Sequence, residues 1–238
     1  MKSLLWKLWF ILFMLFCLVA YIALLIVKLI LPKRHQRVLI HHWVRFWART
    51  TVLSSGCTVD VSGQENLPDD HSVCFISNHQ GMFDIPLVLG FVDRPLGFIA
   101  KQELFKIPIL SWWMKEIPCV FIDRGSARNA IKSFEHSAEV IRNGHALVIF
   151  PEGTRSRSDK MGEFHLGSLK LPMMADATIV PLAIKGSWRA YEIDKKIHAQ
   201  VLKLHILTGI KPEDPIYRDK HAVAAKLRGM IQTELDEM

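Results

Sequence analysis

At 238 residues the chain has room for one domain of ordinary size plus an appendage, and enough interior for a sizeable core. Thirty lysines and arginines against 23 acids give a formal charge of +7, which points to anionic partners: nucleic acid, phosphorylated metabolites or the anionic face of a bilayer. Half the residues are hydrophobic, concentrated at the N-terminus, and this favours the bilayer over nucleic acid. The four cysteines form no CxxC and stand beside no histidine at ligand spacing, so no metal site is expected and buried reduced thiols are.

Residues 8–27 contain no charge. A helix of that length spans roughly 30 Å, about the hydrocarbon thickness of a bilayer. The run is too long for a signal-peptide core and no small-residue cleavage site follows it, so it is expected to stay attached. Trp6, Trp9 and Tyr21 suit the interfaces. Lys2 and Lys7 precede the run, and Lys28, Lys33, Arg34 and Arg37 follow it. The basic excess on the C-terminal side places the rest of the chain in the cytoplasm, beside the inner membrane if the source is bacterial. Pro32 closes this helix. Over residues 37–50, Arg37, His41, Arg45 and Arg49 recur every fourth residue, with Leu39, Trp43, Phe46 and Trp47 opposite. That pattern predicts an amphipathic helix lying among headgroups or, alternatively, packed on the following domain. Residues 1–52 are therefore read as a membrane anchor and 53–238 as an α/β domain.

Residues 57–61 alternate apolar and polar, as a half-buried strand does. Apolar runs at 73–77, 97–100, 119–122, 146–150 and 178–184 have strand length, and 201–207 alternates as a strand nearer a sheet edge does. Between them a helix is expected from the cap Ser126 to Asn143-Gly144, and another over 221–235. Strands interleaved with helices predict an α/β fold with a largely parallel sheet, whose chemistry lies beyond the carboxyl ends of the strands.

The strand 73–77 runs into Asn78-His79-Gln80-Gly81-Met82-Phe83-Asp84. If this loop folds back, Asp84 can accept a hydrogen bond from one imidazole nitrogen of His79 and leave the other as a base. Spacing alone is weak support, because chance supplies about half such a pair in this composition. A second segment, Phe150-Pro151-Glu152-Gly153-Thr154-Arg155-Ser156-Arg157, follows the strand 146–150. It offers a close-approach glycine, hydroxyl donors and a planar guanidinium, but lacks the GK[ST] of a nucleotide loop. Arg124, in Phe121-Ile122-Asp123-Arg124-Gly125, and Lys101 stand at two further strand ends.

Together these blocks are recognisable. Asn78-His79…Asp84 resembles the NHxxxxD motif of the PlsC-like 1-acyl-sn-glycerol-3-phosphate (lysophosphatidic acid) acyltransferases. Phe121-Ile122-Asp123-Arg124 resembles the family's second block, the segment from Phe150 to Ser156 its FPEGTRS block, and Val180-Pro181-Leu182-Ala183-Ile184 its fourth, in the family's order. The resemblance covers residues 52–187. It implies a catalytic base, His79, oriented by Asp84, and a phosphate site built from Arg124, Arg155, Glu152, Gly153 and Thr154 with Lys101. It further implies acyl transfer from acyl-CoA or acyl-carrier protein to lysophosphatidic acid, with no cofactor and no metal. No GxSxG is present and no cysteine accompanies a motif histidine, so direct displacement is expected. Two departures stand out. Gly81 replaces a frequent serine, which is expected to change little. Phe164-His165-Leu166-Gly167 replaces Phe-Lys-Lys-Gly, which removes positive charge near the acceptor path. An acyltransferase for another lysolipid and a non-catalytic membrane-binding protein of the same fold are the competing readings, and nucleic-acid binding is not expected.

Overall fold

The computed structural model describes residues 2–122 and 127–238. Two helices come first: α1 (Lys2–Ile30) and α2 (Lys33–Ser54). Pro32 separates them, and the Gln36 side chain caps the end of α1 by donating to the carbonyls of Lys28 (3.0 Å) and Leu31 (2.7 Å). The remaining elements are β1 (Thr58–Ser62), β2 (Val73–Ser77), α3 (Asp84–Phe91), β3 (Leu96–Lys101), α4 (Leu110–Glu116), β4 (Val120–Ile122), α5 (Ala127–Arg142), β5 (Ala146–Ile149), α6 (Lys170–Met174), β6 (Thr178–Lys185), β7 (Val201–Ile206) and α7 (Lys220–Glu237). The expected strands and the two later long helices occur within a residue or two, whereas α1 and α2 extend three to six residues beyond the stretches 8–27 and 37–50. The expected cap Ser126 lies outside the described residues. Short α4 and α6 carry too few residues to show a periodic pattern in sequence.

Among the described residues the strands form one sheet in the order β1-β7-β6-β2-β5-β3-β4. From β6 to β4 all neighbours are parallel; β7 runs antiparallel to β6, and β1 parallel to β7. The chain thus builds an α/β fold with a mostly parallel sheet between helices. Strands β2 and β5 are buried throughout and β6 nearly so, as central parallel strands covered on both faces must be. At the edge, β1 and β7 alternate in burial. Helix α7 starts at Asp219, whose carboxylate accepts the amides of His221 (2.8 Å) and Ala222 (3.2 Å).

Helix α2 packs on α3 through Ile40, Val44, Ala48 and Val52, all buried in the main core. Its arginine stripe takes part in this packing. The Arg49 Nε donates to the Gly90 carbonyl (2.8 Å) with its guanidinium over the Phe91 ring, and Arg45 pairs with Asp93. Helix α1 touches the same domain from end to end. The Ser3 hydroxyl accepts the Ile197 amide (3.2 Å), Trp6 donates to Ser54 (3.1 Å), Trp113 donates to the Cys17 carbonyl (3.1 Å), and Lys28 pairs with Glu116 (2.7 Å). The opposite face of α1, including Leu4, Leu8, Leu12, Leu15, Val19 and Ile26, is exposed.

Candidate active site

The strand order β6-β2-β5-β3 lines up four loop ends at one edge of the sheet, because these strands are parallel. His79 follows β2, Arg155 follows β5, Lys101 ends β3, and Ser187 and Glu192 follow β6. This edge is where open α/β sheets carry their ligands.

His79 and Asp84 meet. Nδ1 of His79 lies 2.6 Å from Oδ2 of Asp84, which is fully buried. The same oxygen accepts the amides of Gln80 (2.7 Å) and Gly81 (2.9 Å), and Oδ1 accepts the Ser187 hydroxyl. Four hydrogen-bond partners on one carboxylate hold it in place. Asp84 is not a helix cap; it is the fixed partner of the imidazole. Nδ1 then carries the proton and Nε2 is the basic nitrogen. The imidazole stacks on Phe150 at a centroid distance of 4.0 Å, which fixes its plane. Asn78 ties the loop to β6, donating to the Ile184 carbonyl and accepting the Ile184 amide, both at 2.8 Å.

The loop after β5 is stitched to this motif loop. The Ser156 amide donates to the His79 carbonyl (2.8 Å), and the Arg157 amide to the Gln80 carbonyl (3.1 Å). Glu152, grouped in sequence with the phosphate-binding residues, offers no donor. Its carboxylate accepts the amides of His79 and Gly162, both at 2.7 Å, so its side chain fastens loops together. Burial raises its pKa against these hydrogen bonds. Gly162 leaves room for it, since a Cβ there would lie 2.6 Å from Oε2. Gly81 is also tight: a Cβ would sit 3.0 Å from the Trp188 Cα and 3.2 Å from the Glu192 Cγ, so a serine would require its neighbours to shift.

A cavity of ≈ 1110 Å³ opens beside the dyad. His79, Gly153, Thr154, Arg155 and Lys101 all line it. Arg124 falls outside the described residues. His165 and Gly167, where the resemblance implied lysine-bearing sequence, also line the cavity, so that part of the wall carries less positive charge. The rest is largely apolar, and Phe10 and Met14 of α1 with Trp43 and Trp47 of α2 complete it. Cys119 lines it too, but burial pushes its thiol up to about 12, which leaves no thiolate to act as a nucleophile at neutral pH.

Two residues here escaped the sequence reading. Ser187 is fully buried and supports Asp84. The buried Glu192 accepts from Arg155 (2.7 Å), Lys195 (2.7 Å) and the Met82 amide (3.1 Å). A single serine or glutamate beyond the fourth block carries no spacing signal; only the return of the chain after β6 brings them in.

The whole-chain comparison agrees with the local one. A family model described as Acyltransferase matches residues 58–185, and the chain belongs to that family. It is 42% identical over 158 residues to a probable 1-acyl-sn-glycerol-3-phosphate acyltransferase of Mycoplasma pneumoniae, covering 61% of this chain and 56% of that one. To the 1-acyl-sn-glycerol-3-phosphate acyltransferase of Pseudomonas aeruginosa it is 31% identical over 171 residues, 68% and 66% of the two chains. The chain spans about half the length of several curated relatives it matches. The crystal structure of the 1-acyl-sn-glycerophosphate acyltransferase PlsC from Thermotoga maritima superposes with a TM-score of 0.84 at 25% identity, covering 100% of this chain and 97% of the other.

Proposed function

We propose that this chain transfers a fatty acyl group from acyl-CoA or acyl-carrier protein to the sn-2 hydroxyl of lysophosphatidic acid, giving phosphatidic acid. The observation that carries the reading is the His79–Asp84 pair on the wall of a mostly apolar cavity that also holds Arg155 and Lys101. Nε2 of His79 removes the hydroxyl proton as the oxygen attacks the thioester carbonyl. The tetrahedral intermediate collapses with loss of the thiolate, which takes the proton back from the imidazolium. Asp84 holds the tautomer and stabilises the imidazolium. Arg155 and Lys101, with Gly153 and Thr154, grip the acceptor phosphate, and the apolar walls take the acyl chains. Arg124 is assigned to the same phosphate by resemblance.

The relatives bearing the lysophosphatidate acyltransferase name support this choice of acceptor. The exposed apolar face of α1 supports residues 1–52 as the membrane anchor of a 53–238 catalytic domain. Because both ends of α1 touch that domain, we read the helix as embedded along it, with the domain on the cytoplasmic side.

The test is His79→Ala, assayed in detergent with lysophosphatidate and each donor. Loss of a general base lowers kcat by about 10²–10⁴; activity within a few-fold of wild type would remove His79 as the base. An acceptor panel including other lysolipids checks the substrate, and equal use of a lysolipid without a phosphomonoester would overturn lysophosphatidate as the acceptor.

A further inference from the structure

We infer that Glu192 is a positioning residue for acceptor recognition: its buried carboxylate gathers Arg155, Arg157 and Lys195 so that the two arginines meet a phosphorylated acceptor already in place. The inference rests on the phosphate-binding role proposed for Arg155.

Glu192 reaches across from the turn that follows β6. Its side chain is fully buried, with Oε1 on Arg155 (2.7 Å) and the Met82 amide (3.1 Å), and Oε2 on Lys195 (2.7 Å) and Arg157 (3.6 Å). Its own amide is anchored to the Trp188 carbonyl at 2.7 Å. One carboxylate therefore joins the motif loop, the loop after β5 and its own turn. Arg155 and Arg157 line the cavity, whereas Glu192, buried, and Lys195, half exposed, do not. Among the described residues, four non-glycines adopt positive φ, and two of them are Arg157 (54°) and Lys195 (62°). Left-handed backbone is unfavourable for such side chains, and strain of this kind persists where surrounding contacts over-determine it. Both strained residues are cations aimed at this one carboxylate.

Three cations around one anion give the cluster a net charge of +2, presented through its two arginines, and a phosphomonoester carries nearly two negative charges at neutral pH. Burial pushes Glu192 up, yet Lys195, Arg155 and the Met82 amide together hold it below the usual carboxylate range, so it is charged. Without that charge the three cations repel one another and splay into solvent. The acceptor must then gather them itself, and this cost appears as weakened binding.

The experiment compares wild type, Glu192→Gln, Arg155→Gln and the double variant. Two readouts are taken: KM and kcat with lysophosphatidate and with 1-monoacylglycerol, and equilibrium binding of lysophosphatidate in detergent without any donor. Glu192→Gln should raise KM and weaken binding of lysophosphatidate about tenfold while kcat changes less than threefold. Monoacylglycerol, which has no phosphate, should be used equally by wild type and variant. Arg155→Gln in the Glu192→Gln background should cost much less than in wild type, because the two act as one unit. Unchanged or tightened lysophosphatidate binding, additive effects, or equal losses with both acceptors would overturn the inference. The wild-type turnover arm reports separately on the proposed reaction. The donor-free binding arm tests Glu192 even if another acceptor is the better substrate, and absence of wild-type binding overturns the inference as well.

Discussion

Asp84 has both oxygens engaged, and three of its four donors come from its own loop. Ser187 is the exception, reaching in from beyond β6. Ser187→Ala leaves a buried carboxylate oxygen without its partner, which costs about 1–3 kcal/mol. We expect a lower melting temperature together with a fall in kcat of roughly tenfold and little change in KM, because the acceptor does not touch this serine. Thermal unfolding and steady-state kinetics on the same preparation check it; a raised KM with normal kcat would contradict the assignment. His79 and Asp84 were legible in sequence because they share one loop and stand in order with three further recognisable blocks, the spacing alone being weak. Ser187 lies 103 residues from Asp84, and Glu192 lies 37 residues from Arg155 and 110 from Met82, so no local pattern marks either. For Glu152 the chain and the fold point different ways: its neighbours in sequence are phosphate-type donors, but its partners in space are backbone amides.

At the level of elements, α2 shows how an arginine stripe can serve packing. A basic face in sequence suggests headgroups, yet Arg45 and Arg49 both bind the end of α3. Gly90 allows the approach, since a Cβ there would lie 3.1 Å from the Arg49 amide nitrogen. Arg49→Ala removes a bond to the Gly90 carbonyl and a cation over Phe91, and should cost about 1–3 kcal/mol of stability. A melting temperature equal to wild type would show that the stripe contributes nothing to this packing. The strands were readable because burial forces uniform apolar runs in the centre and alternation at the edge. The antiparallel turn of β7 was not, because orientation depends on the connection around residues 186–200, and alternation in sequence is the same in either direction.

At the scale of the molecule, an exposed apolar helix, the cavity and the His79–Asp84 pair are brought together. Phe10 and Met14 of α1 line the cavity that His79 faces, while the far side of the same helix is exposed apolar surface. The pairing of β1 with β7 sets a condition on how this arrangement is reached. Thr58 to Ser62 find their partners only at Val201 to His205, more than 140 residues later. On a ribosome α1 and β1 therefore emerge well before β7, the strand that secures β1. Through most of synthesis β1 is an unpaired edge, open to pairing with other chains. Chains truncated before residue 201 should therefore aggregate or be degraded rather than accumulate as a smaller folded domain, which pulse-chase and sedimentation can read. The sheet stays open along this side until β7 is in place, so β7 acts as the latch of the fold.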